Sequence, residues 1–131
     1  MPAAETYPDD LRYHPEHDWA RVEGDEATLG VTWFAQDSLG ELVHYEAPVT
    51  GTTVAKDESY GEVESVKAVS DIVAPLSGEV LAVNDKVVAA PETVNDDPYG
   101  EGWLIRIRMS DPGELDSLLD AGAYRALIAE Q

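Results

Sequence analysis

The 131-residue chain contains no cysteine. Disulfide bonds, thiolate metal sites and a cysteine nucleophile are therefore excluded, because each of them needs a thiol. Any redox chemistry must come from a group attached to the chain, since no redox-active side chain is available. The absence of thiols favours a carrier of a redox group over a thiol enzyme.

Basic residues are scarce. Lys and Arg total 8 against 27 Asp and Glu, which gives a formal net charge of −19 at pH 7. A surface of this sign repels a phosphate backbone, so nucleic-acid binding is not expected. The acids either keep a small protein soluble or steer it toward partners with basic docking surfaces. A salt-adapted proteome has the same composition, and the sequence alone leaves these explanations open.

Long apolar runs are also absent, and residues 1–10 are polar and rich in Pro, Asp and Glu. Without a segment long enough to span a bilayer or a charged-then-apolar leader, we expect a soluble cytoplasmic protein that does not contact membranes. A location in the mitochondrial matrix would require a transit peptide that had been removed. The length predicts a single domain over residues 1–131, with a flexible segment at 1–10.

Short segments of alternating apolar and polar residues follow one another along the chain. Two of them, at 18–22 and 27–31, flank a Gly24-Asp25 turn and predict an N-terminal hairpin. Glu62 and Glu64 lie on one face of a further strand, which we interpret as a half-buried edge. The remaining strands are expected at 41–45, 71–74, 79–83 and 103–109. Many short antiparallel strands predict a mainly β fold, either a flattened β-barrel or a sandwich.

Helical signals occur at two places. Thr32 is a good N-cap for a short helix directly after the N-terminal hairpin. From Asp111 the alternation ends: this residue is a candidate N-cap, Pro112 suits the first helical position, and Glu114 suits a capping box. Leucines and other apolar residues then recur at helical spacing. We therefore predict a C-terminal helical addition over 111–130.

Two short segments each occur twice at nearly the same spacing. Gly40-Glu41-Leu42-Val43 recurs as Gly78-Glu79-Val80-Leu81, and Tyr60-Gly61-Glu62 recurs as Tyr99-Gly100-Glu101. A near-constant spacing indicates an internal repeat, whose halves we expect to pack about a pseudo-twofold axis. The link between the halves is then a tight exposed hairpin with Lys67 at its tip. A lysine on a rigid turn is accessible to modifying enzymes, which is the geometry of a carrier.

The five residues Glu64, Ser65, Val66, Lys67 and Ala68 resemble the lipoyl-attachment motif of the glycine cleavage system H proteins. The likeness covers almost the whole chain, at 13–19, 34–40, 70–71, 77–80 and 94–103. This resemblance implies a β fold of the lipoyl (hybrid) type, with lipoate covalently bound to Lys67. It also implies a carrier protein that is not itself an enzyme.

The same resemblance implies a reaction cycle. The lipoyl arm would carry an aminomethyl group from glycine decarboxylase to a tetrahydrofolate-dependent aminomethyltransferase, and dihydrolipoyl dehydrogenase would reoxidise the arm. Lipoate-attaching enzymes are further implied partners. In the family the loaded arm folds into a cleft where carboxylates hold its amine. By position, the implied cleft residues are Asp71, Asp18, Glu16 and Phe34, and Asp18 stands where the family usually has Glu.

Other functions share part of this pattern. A biotinyl carrier also uses a hairpin lysine, but it typically places Met on both sides, where this chain has Val66 and Ala68. A lipoate relay protein, which donates lipoyl groups to other carriers, would have the same motif. An unmodified acidic β-domain that serves only as an interaction module is a third alternative. The sequence does not separate the relay and the interaction module from the shuttle.

Neither a metal site nor a catalytic residue is predicted. His14 and His17 are three residues apart, but no third clear ligand accompanies them. His44 has no Ser or Cys partner whose spacing would mark a nucleophile. Chemistry is therefore expected from the attached group alone.

Overall fold

The computed structural model describes residues 3–131 and contains two antiparallel sheets with short helices around them. The larger sheet has six strands, which are β1 (Arg12–His14), β2 (Asp18–Glu23), β3 (Glu26–Val31), β5 (Thr53–Val54), β8 (Gly78–Val83) and β9 (Ile105–Met109). Their order is β1-β2-β3-β9-β8-β5. The smaller sheet has the order β4-β6-β7 and consists of β4 (Leu42–Glu46), β6 (Ser59–Ser65) and β7 (Val69–Val73).

One apolar core joins the two sheets. Leu29 and Ile107 of the larger sheet belong to the same buried cluster as Val63 and Ile72 of the smaller sheet. Along β9 the buried residues alternate with exposed ones, as expected when one face of a sheet is buried. The prediction of a mainly β fold is confirmed, in its sandwich form and not as a closed barrel.

Four α-helices and one 3-10 helix complete the fold. They are α1 (Trp33–Leu39), α2 (Asp85–Ala89), α3 (Thr93–Asp96), the 3-10 helix (Pro112–Ser117) and α4 (Ala121–Ala129). Thr32 caps α1 as predicted, because its side chain accepts a hydrogen bond from the amide of Ala35. No helix within residues 3–131 has both the length and the apolar character needed to cross a membrane.

The strand that leads to Lys67 differs from the sequence interpretation. The alternation of Glu62, Val63 and Glu64 is correct, since only Val63 is buried. However, β6 is the central strand of its sheet and not an edge, because it pairs with β4 on one side and with β7 on the other. The error arises because alternation reports which face of a strand is buried and carries no information about its lateral neighbours.

The two copies of the short repeated segments do not have matching structures throughout. Both Gly-Glu copies lead into strands, β4 and β8. In contrast, Tyr60-Gly61-Glu62 lies within β6, whereas Tyr99-Gly100-Glu101 forms a turn. The glycines of the two segments accordingly have different surroundings, since a Cβ at Gly61 would contact the backbone of Glu46 and one at Gly100 would contact the side chain of Asp97.

Residues 3–10 pack against the domain. Ala3 accepts a hydrogen bond from the indole N–H of Trp33 at 2.8 Å, and Thr6 accepts one from the hydroxyl of Tyr99 at 2.7 Å. Tyr7 is buried in a second apolar cluster. These contacts place residues 3–7 against the domain, while the flexibility of the segment 1–10 stays a prediction and its first two residues lie outside the described part. Composition alone missed these contacts because they use backbone carbonyls and one aromatic ring.

The C-terminal addition packs on β1, since Tyr13 forms an isolated bridge with Leu119 and stacks on the ring of Tyr124. Asp111 caps the 3-10 helix and Pro112 is its first residue, as the sequence predicts. Glu114 does not close a capping box on Asp111. Its carboxylate instead accepts hydrogen bonds from the amide and the hydroxyl of Ser77, both at 2.8 Å. Ser77, directly before β8, offers the carboxylate of Glu114 two donors, whereas a capping box would offer it a single backbone amide.

Candidate functional site

The β6–β7 hairpin holds Lys67 at its tip. Glu64 pairs with Val69 at the end of the ladder, and the three residues of the tip that surround the lysine, from Val66 to Ala68, are exposed. Because β6 is also bonded to β4, the first strand of the hairpin is paired on both sides, whereas β7 forms the edge of the sheet. Lys67 thus lies at the exposed tip of a hairpin, as the sequence predicts.

Ser65 fixes the shape of the tip. Its side chain is buried, and its Oγ accepts hydrogen bonds from the amides of Lys67 at 3.3 Å and Ala68 at 3.2 Å. The amide of Ser65 donates to the carbonyl of Ala68 at 2.8 Å. One hydroxyl thus holds the two amides that would otherwise be free in a tight turn. The serine of the motif has a structural task, and this task could not be recognised from the sequence because it depends on the turn geometry.

The ammonium of Lys67 has no ion-pair partner in the described part of the chain. The two other lysines do: Lys56 contacts Asp57 at 3.1 Å and Lys86 contacts Glu101 at 3.3 Å. The stem of Lys67 passes over Gly40, since a Cβ at that glycine would lie 3.7 Å from Lys67 Cε. Gly40 has φ 85°, a conformation that favours glycine. Lys67 is therefore an exposed primary amine that is not held by a carboxylate.

Carboxylates cross the outer face of the sheet that carries Lys67. Glu46 on β4, Glu62 on β6 and Asp71 on β7 lie side by side in the ladder. Asp71 is exposed, and its carboxylate accepts a long hydrogen bond of 3.4 Å from the hydroxyl of Ser59. Like charges in cross-strand positions are unfavourable for stability. Their presence next to the hairpin makes this face strongly negative.

Asp18 lies inside the molecule. It is only 2% exposed, and its Oδ1 has no hydrogen-bond partner within residues 3–131. Burial raises the pKa of this carboxyl well above its usual range, the nearby carboxylate of Glu16 raises it further, and the backbone N–H of Val73 opposes the rise. Val73 is the last residue of β7, so Asp18 approaches the strand that leads away from Lys67. Among the described residues, no hydrogen bond joins the buried carboxyl of Asp18 to the exposed carboxylate of Asp71.

Tyr60 is a neighbour of this carboxylate that sequence reasoning missed. Its hydroxyl is buried and also has no hydrogen-bond partner among the described residues. Burial raises the pKa of Tyr60, and the charges of Tyr45 and Asp18 add to that rise. Buried polar groups without partners are rare in folded proteins, so two of them close to one strand mark an unusual environment. A strand tyrosine carries no sequence signal for such a role.

Glu16 and Phe34 lie at the surface beside the N-terminal hairpin. Glu16 is exposed, and its amide donates to Nδ1 of His14 at 3.0 Å. Phe34 packs on the ring of His17 with a centroid distance of 4.7 Å. It also lines a cavity of about 520 Å³ with Tyr7, Arg125 and other residues of the two termini. Of the four implied cleft residues, Glu16 and Asp18 are thus linked electrostatically, and Phe34 and Asp71 belong to other surfaces.

The two N-terminal histidines have separate partners. Nε2 of His14 lies 2.6 Å from Oδ1 of Asp57, and Nδ1 of His17 lies 2.8 Å from the hydroxyl of Tyr124. Because Nδ1 of His14 accepts the amide of Glu16, its Nε2 carries the proton that is donated to Asp57. Residues 3–131 contain no group of three or more His, Asp or Glu side chains placed to bind a metal.

Comparison with known proteins gives a consistent result. The family described as "Glycine cleavage H-protein" matches residues 11–131. The chain is 52% identical to the glycine cleavage system H protein of Symbiobacterium thermophilum over 123 residues, which cover 94% of this chain and 96% of that protein. It is 54% identical to the glycine cleavage system H protein of Anaeromyxobacter sp. over 124 residues, covering 95% and 97%.

A solved structure supports the same relationship. The glycine cleavage system H protein of Mycobacterium marinum superposes with a TM-score of 0.86 at 40% identity, covering 93% of this chain and 98% of that one. Fold and sequence agree, and the resemblance found in the sequence is confirmed. The chain belongs to the glycine cleavage H-protein family.

Proposed function

We propose that this protein is a non-catalytic carrier that holds lipoate in amide linkage to Lys67. The observation that carries the proposal is the state of this lysine: it is exposed at the tip of a hairpin and lacks the carboxylate partner that Lys56 and Lys86 have. A free amine on a flexible stem is open to acylation, and the rigid turn below it presents the product.

The surrounding residues suit this attachment. Ser65 holds the turn through the amides of Lys67 and Ala68, so that the modifying enzyme meets one defined backbone shape. Gly40 leaves space beside the lysine stem, because it has no Cβ. The chain has no cysteine, so no thiol of its own would exchange with a bound disulfide. Bound lipoate supplies a redox-active dithiolane that also carries groups, and this chemistry belongs to the cofactor.

Two acidic positions support an amine-bearing cargo. Asp18 has a buried carboxylate oxygen without a partner, and such an atom is stabilised by a cation or by a proton. Asp71 offers an exposed carboxylate on the strand that follows Lys67. We propose that Asp18 binds the protonated amine of the cargo, and that Asp71 attracts the amine at the surface. The exposed carboxylate of Glu16 adds negative charge near Asp18.

We propose further that the cargo is an aminomethyl group. The carrier would receive it from glycine decarboxylase and deliver it to a tetrahydrofolate-dependent aminomethyltransferase, with dihydrolipoyl dehydrogenase and a lipoate-attaching enzyme as the remaining partners. The proposal is supported by membership of the glycine cleavage H-protein family. The acidic face formed by Glu46, Glu62 and Asp71 next to the lysine offers each partner a complementary docking surface.

The test combines mass with activity. Protein produced in cells that make lipoate is digested, and the modified peptide is located by mass spectrometry. A lipoyl increment confined to Lys67 is expected in wild type and its loss in Lys67→Arg, while Lys56→Arg, the matched control, keeps the modification. Each protein is then added to glycine decarboxylase, aminomethyltransferase and dihydrolipoyl dehydrogenase, and glycine-dependent NADH formation is followed.

Each outcome of this test has a defined meaning. A biotin increment, or a modification on Lys56 or Lys86, would contradict the lipoyl carrier. A lipoylated protein that does not support glycine-dependent NADH formation would leave the carrier intact and remove its place in glycine cleavage. The folded state of Lys67→Arg is checked by circular dichroism, and no change is expected because the positive charge and the exposure are kept.

A further inference from the structure

A second site lies on the other sheet. The outer face of the six-stranded sheet has a cavity of about 370 Å³ that is lined by Arg21, Glu23, Glu26, Thr28 and Arg106. In the ladder, Arg21 on β2 lies opposite Thr28 on β3, and Thr28 lies opposite Arg106 on β9. Neighbouring strands are about 4.8 Å apart, so the backbones of the two arginines are about 10 Å apart with Thr28 midway. Side chains of this length can converge above the threonine.

Both guanidinium groups are held by aromatic rings. Arg21 lies 5.0 Å from the ring centroid of Trp19, and its Nη2 donates to the carbonyl of Tyr99 at 2.8 Å. Arg106 lies 5.5 Å from the ring centroid of Trp103. Stacking on a ring restricts an arginine side chain while most of its N–H groups stay available. The two donors are therefore pre-organised before any ligand arrives.

Neither arginine is neutralised. Glu23 and Glu26 line the same cavity, yet within residues 3–131 no carboxylate oxygen lies within 4.0 Å of a nitrogen of Arg21 or Arg106. Arg108, two residues further along β9, does have such partners, since it contacts Asp25 at 4.0 Å and Glu79 at 3.9 Å. In a chain with 27 acidic and 8 basic residues, two arginines in one cavity without an ion-pair partner are unusual.

Thr28 forms the floor between the arginines. It is only 8% exposed, which is low for a polar residue on the outer face of a sheet. Its hydroxyl makes no hydrogen bond to another residue of the described chain, and it lines the cavity. The hydroxyl oxygen is not one of the buried atoms that lack a partner, so it is open to the solvent of the cavity and can bond to a ligand.

We infer that Arg21, Thr28 and Arg106 form a binding site for a compact oxyanion, either a phosphate or a carboxylate group of a small metabolite. Two guanidinium groups and one hydroxyl supply N–H and O–H donors to the oxygen atoms of such a group, as in other arginine sites for phosphate and carboxylate. Glu23 and Glu26 line the same cavity and repel a polyanion more strongly than one isolated anionic group. The site is separate from Lys67 and does not depend on lipoylation.

The inference is tested by titrating the full-length protein, isotopically labelled, with inorganic phosphate and with acetate, while sodium chloride keeps the ionic strength constant. The shifts of the Arg21, Thr28 and Arg106 amides are followed by NMR. Saturable shifts centred on these residues are expected with at least one of the two anions. The anion with the lower dissociation constant identifies the class, and saturation by neither anion overturns the site.

Variants separate the site from general charge effects. We expect Arg106→Gln to weaken the binding of the preferred anion at least about ten-fold, since it removes charge-assisted hydrogen bonds. Thr28→Val keeps the β-branched shape and should weaken binding several-fold, whereas Glu26→Gln should strengthen it. Arg108→Gln is the matched control, with the same loss of charge on the same strand, and should change binding less than about two-fold. Equal losses in Arg106→Gln and Arg108→Gln would show non-specific attraction and overturn the site.

Discussion

Ser65 and Ala68 close the turn that presents Lys67 through a reciprocal contact. The amide of Ser65 donates to the carbonyl of Ala68 at 2.8 Å, and the hydroxyl of Ser65 accepts the amide of Ala68 at 3.2 Å. The same hydroxyl accepts the amide of Lys67. Side-chain groups that replace water at turn amides fix the backbone of the turn. The attachment motif therefore contains a shape-determining residue beside the reactive one.

Ser65→Ala tests this role. The substitution removes the acceptor of two amides while the ladder bond from Ser65 to Ala68 remains. We expect a loss of about 1 kcal/mol in the free energy of unfolding, because the freed amides at the exposed tip can bond to water. Enzymatic lipoylation of the variant should be slower than that of wild type. The change should lie mainly in a higher KM of the lipoylating enzyme for the variant. Urea unfolding and lipoylation kinetics are the measurements.

The matched control is Ser70→Ala. Ser70 lies on the same hairpin, and its hydroxyl donates to the carbonyl of Asp71 and not to the tip. The Ser70→Ala variant should be lipoylated at Lys67 at the wild-type rate. If both variants were modified as fast as wild type, Ser65 would have no part in presenting Lys67.

Asp18→Asn tests the buried carboxyl through pH. Burial raises the pKa of Asp18 in the folded protein, so the native state binds more protons than the unfolded state between the ordinary Asp range, about pH 4, and the raised value. The contribution of Asp18 to stability is therefore lost as pH rises through this window, by at most about 1.4 kcal/mol per pH unit, and levels off above it. Asn carries no charge, so the variant should lack this decline.

The measurement is the free energy of unfolding of both proteins over a series of pH values. The pH dependence of their difference is decisive, because the amide of Asn adds an offset that does not change with pH. Asp71→Asn removes one carboxylate at an exposed position and serves as the control. A difference between wild type and Asp18→Asn that stays constant from about pH 4 to about pH 8 would contradict the raised pKa of Asp18.

Local patterns predicted several elements of the fold. The cap at Thr32, the turn at Gly24-Asp25 and the alternation around Val63 each depend on neighbours in sequence, and the structure has all three. The central position of β6 and the burial of Asp18 depend on segments far apart in the chain. Such placements follow from packing between sheets, which no local pattern contains.

The functional residues divide in the same way. The exposed tip at Lys67 follows from the hairpin and its short turn, and it was predicted. The unpaired hydroxyl of Tyr60 and the partnership of Glu114 with Ser77 were not, because both are set by tertiary contacts. Arg21 and Thr28 lie on the N-terminal hairpin, and Arg106 joins their row from β9, which is distant in sequence. Only the ladder register brings these residues together.

Glu114→Ala tests how the C-terminal addition is held. The carboxylate accepts two hydrogen bonds from Ser77, and the side chain is half-buried. Its removal leaves the amide of Ser77 without a partner, so we expect a loss of about 1 to 3 kcal/mol in the free energy of unfolding. Asp116→Ala, an exposed acid in the same 3-10 helix, should change stability by less than about 0.5 kcal/mol. Equal stability of the two variants in urea would contradict an anchoring role of Glu114.

Salt tests whether the acids guide the protein to its partners. With a net charge of −19, association with at least one partner enzyme should slow at least about ten-fold as salt rises from about 0.02 M to about 0.2 M, because screening shortens the range of attraction. The acidic face beside Lys67 should contribute most. Stopped-flow association rates for lipoylated protein and aminomethyltransferase give the salt slope.

Two double variants locate the effect. Glu46→Gln with Glu62→Gln neutralises the acidic row next to Lys67, while Asp116→Asn with Glu130→Gln removes the same charge from the exposed C-terminal addition. We expect the first pair to flatten the salt slope clearly and the second to leave it nearly as in wild type, because steering is strongest for charges close to the docking site. Equal slopes for the two pairs would assign the effect to net charge alone. A wild-type rate independent of salt for every partner would leave solubility as the reason for the acids.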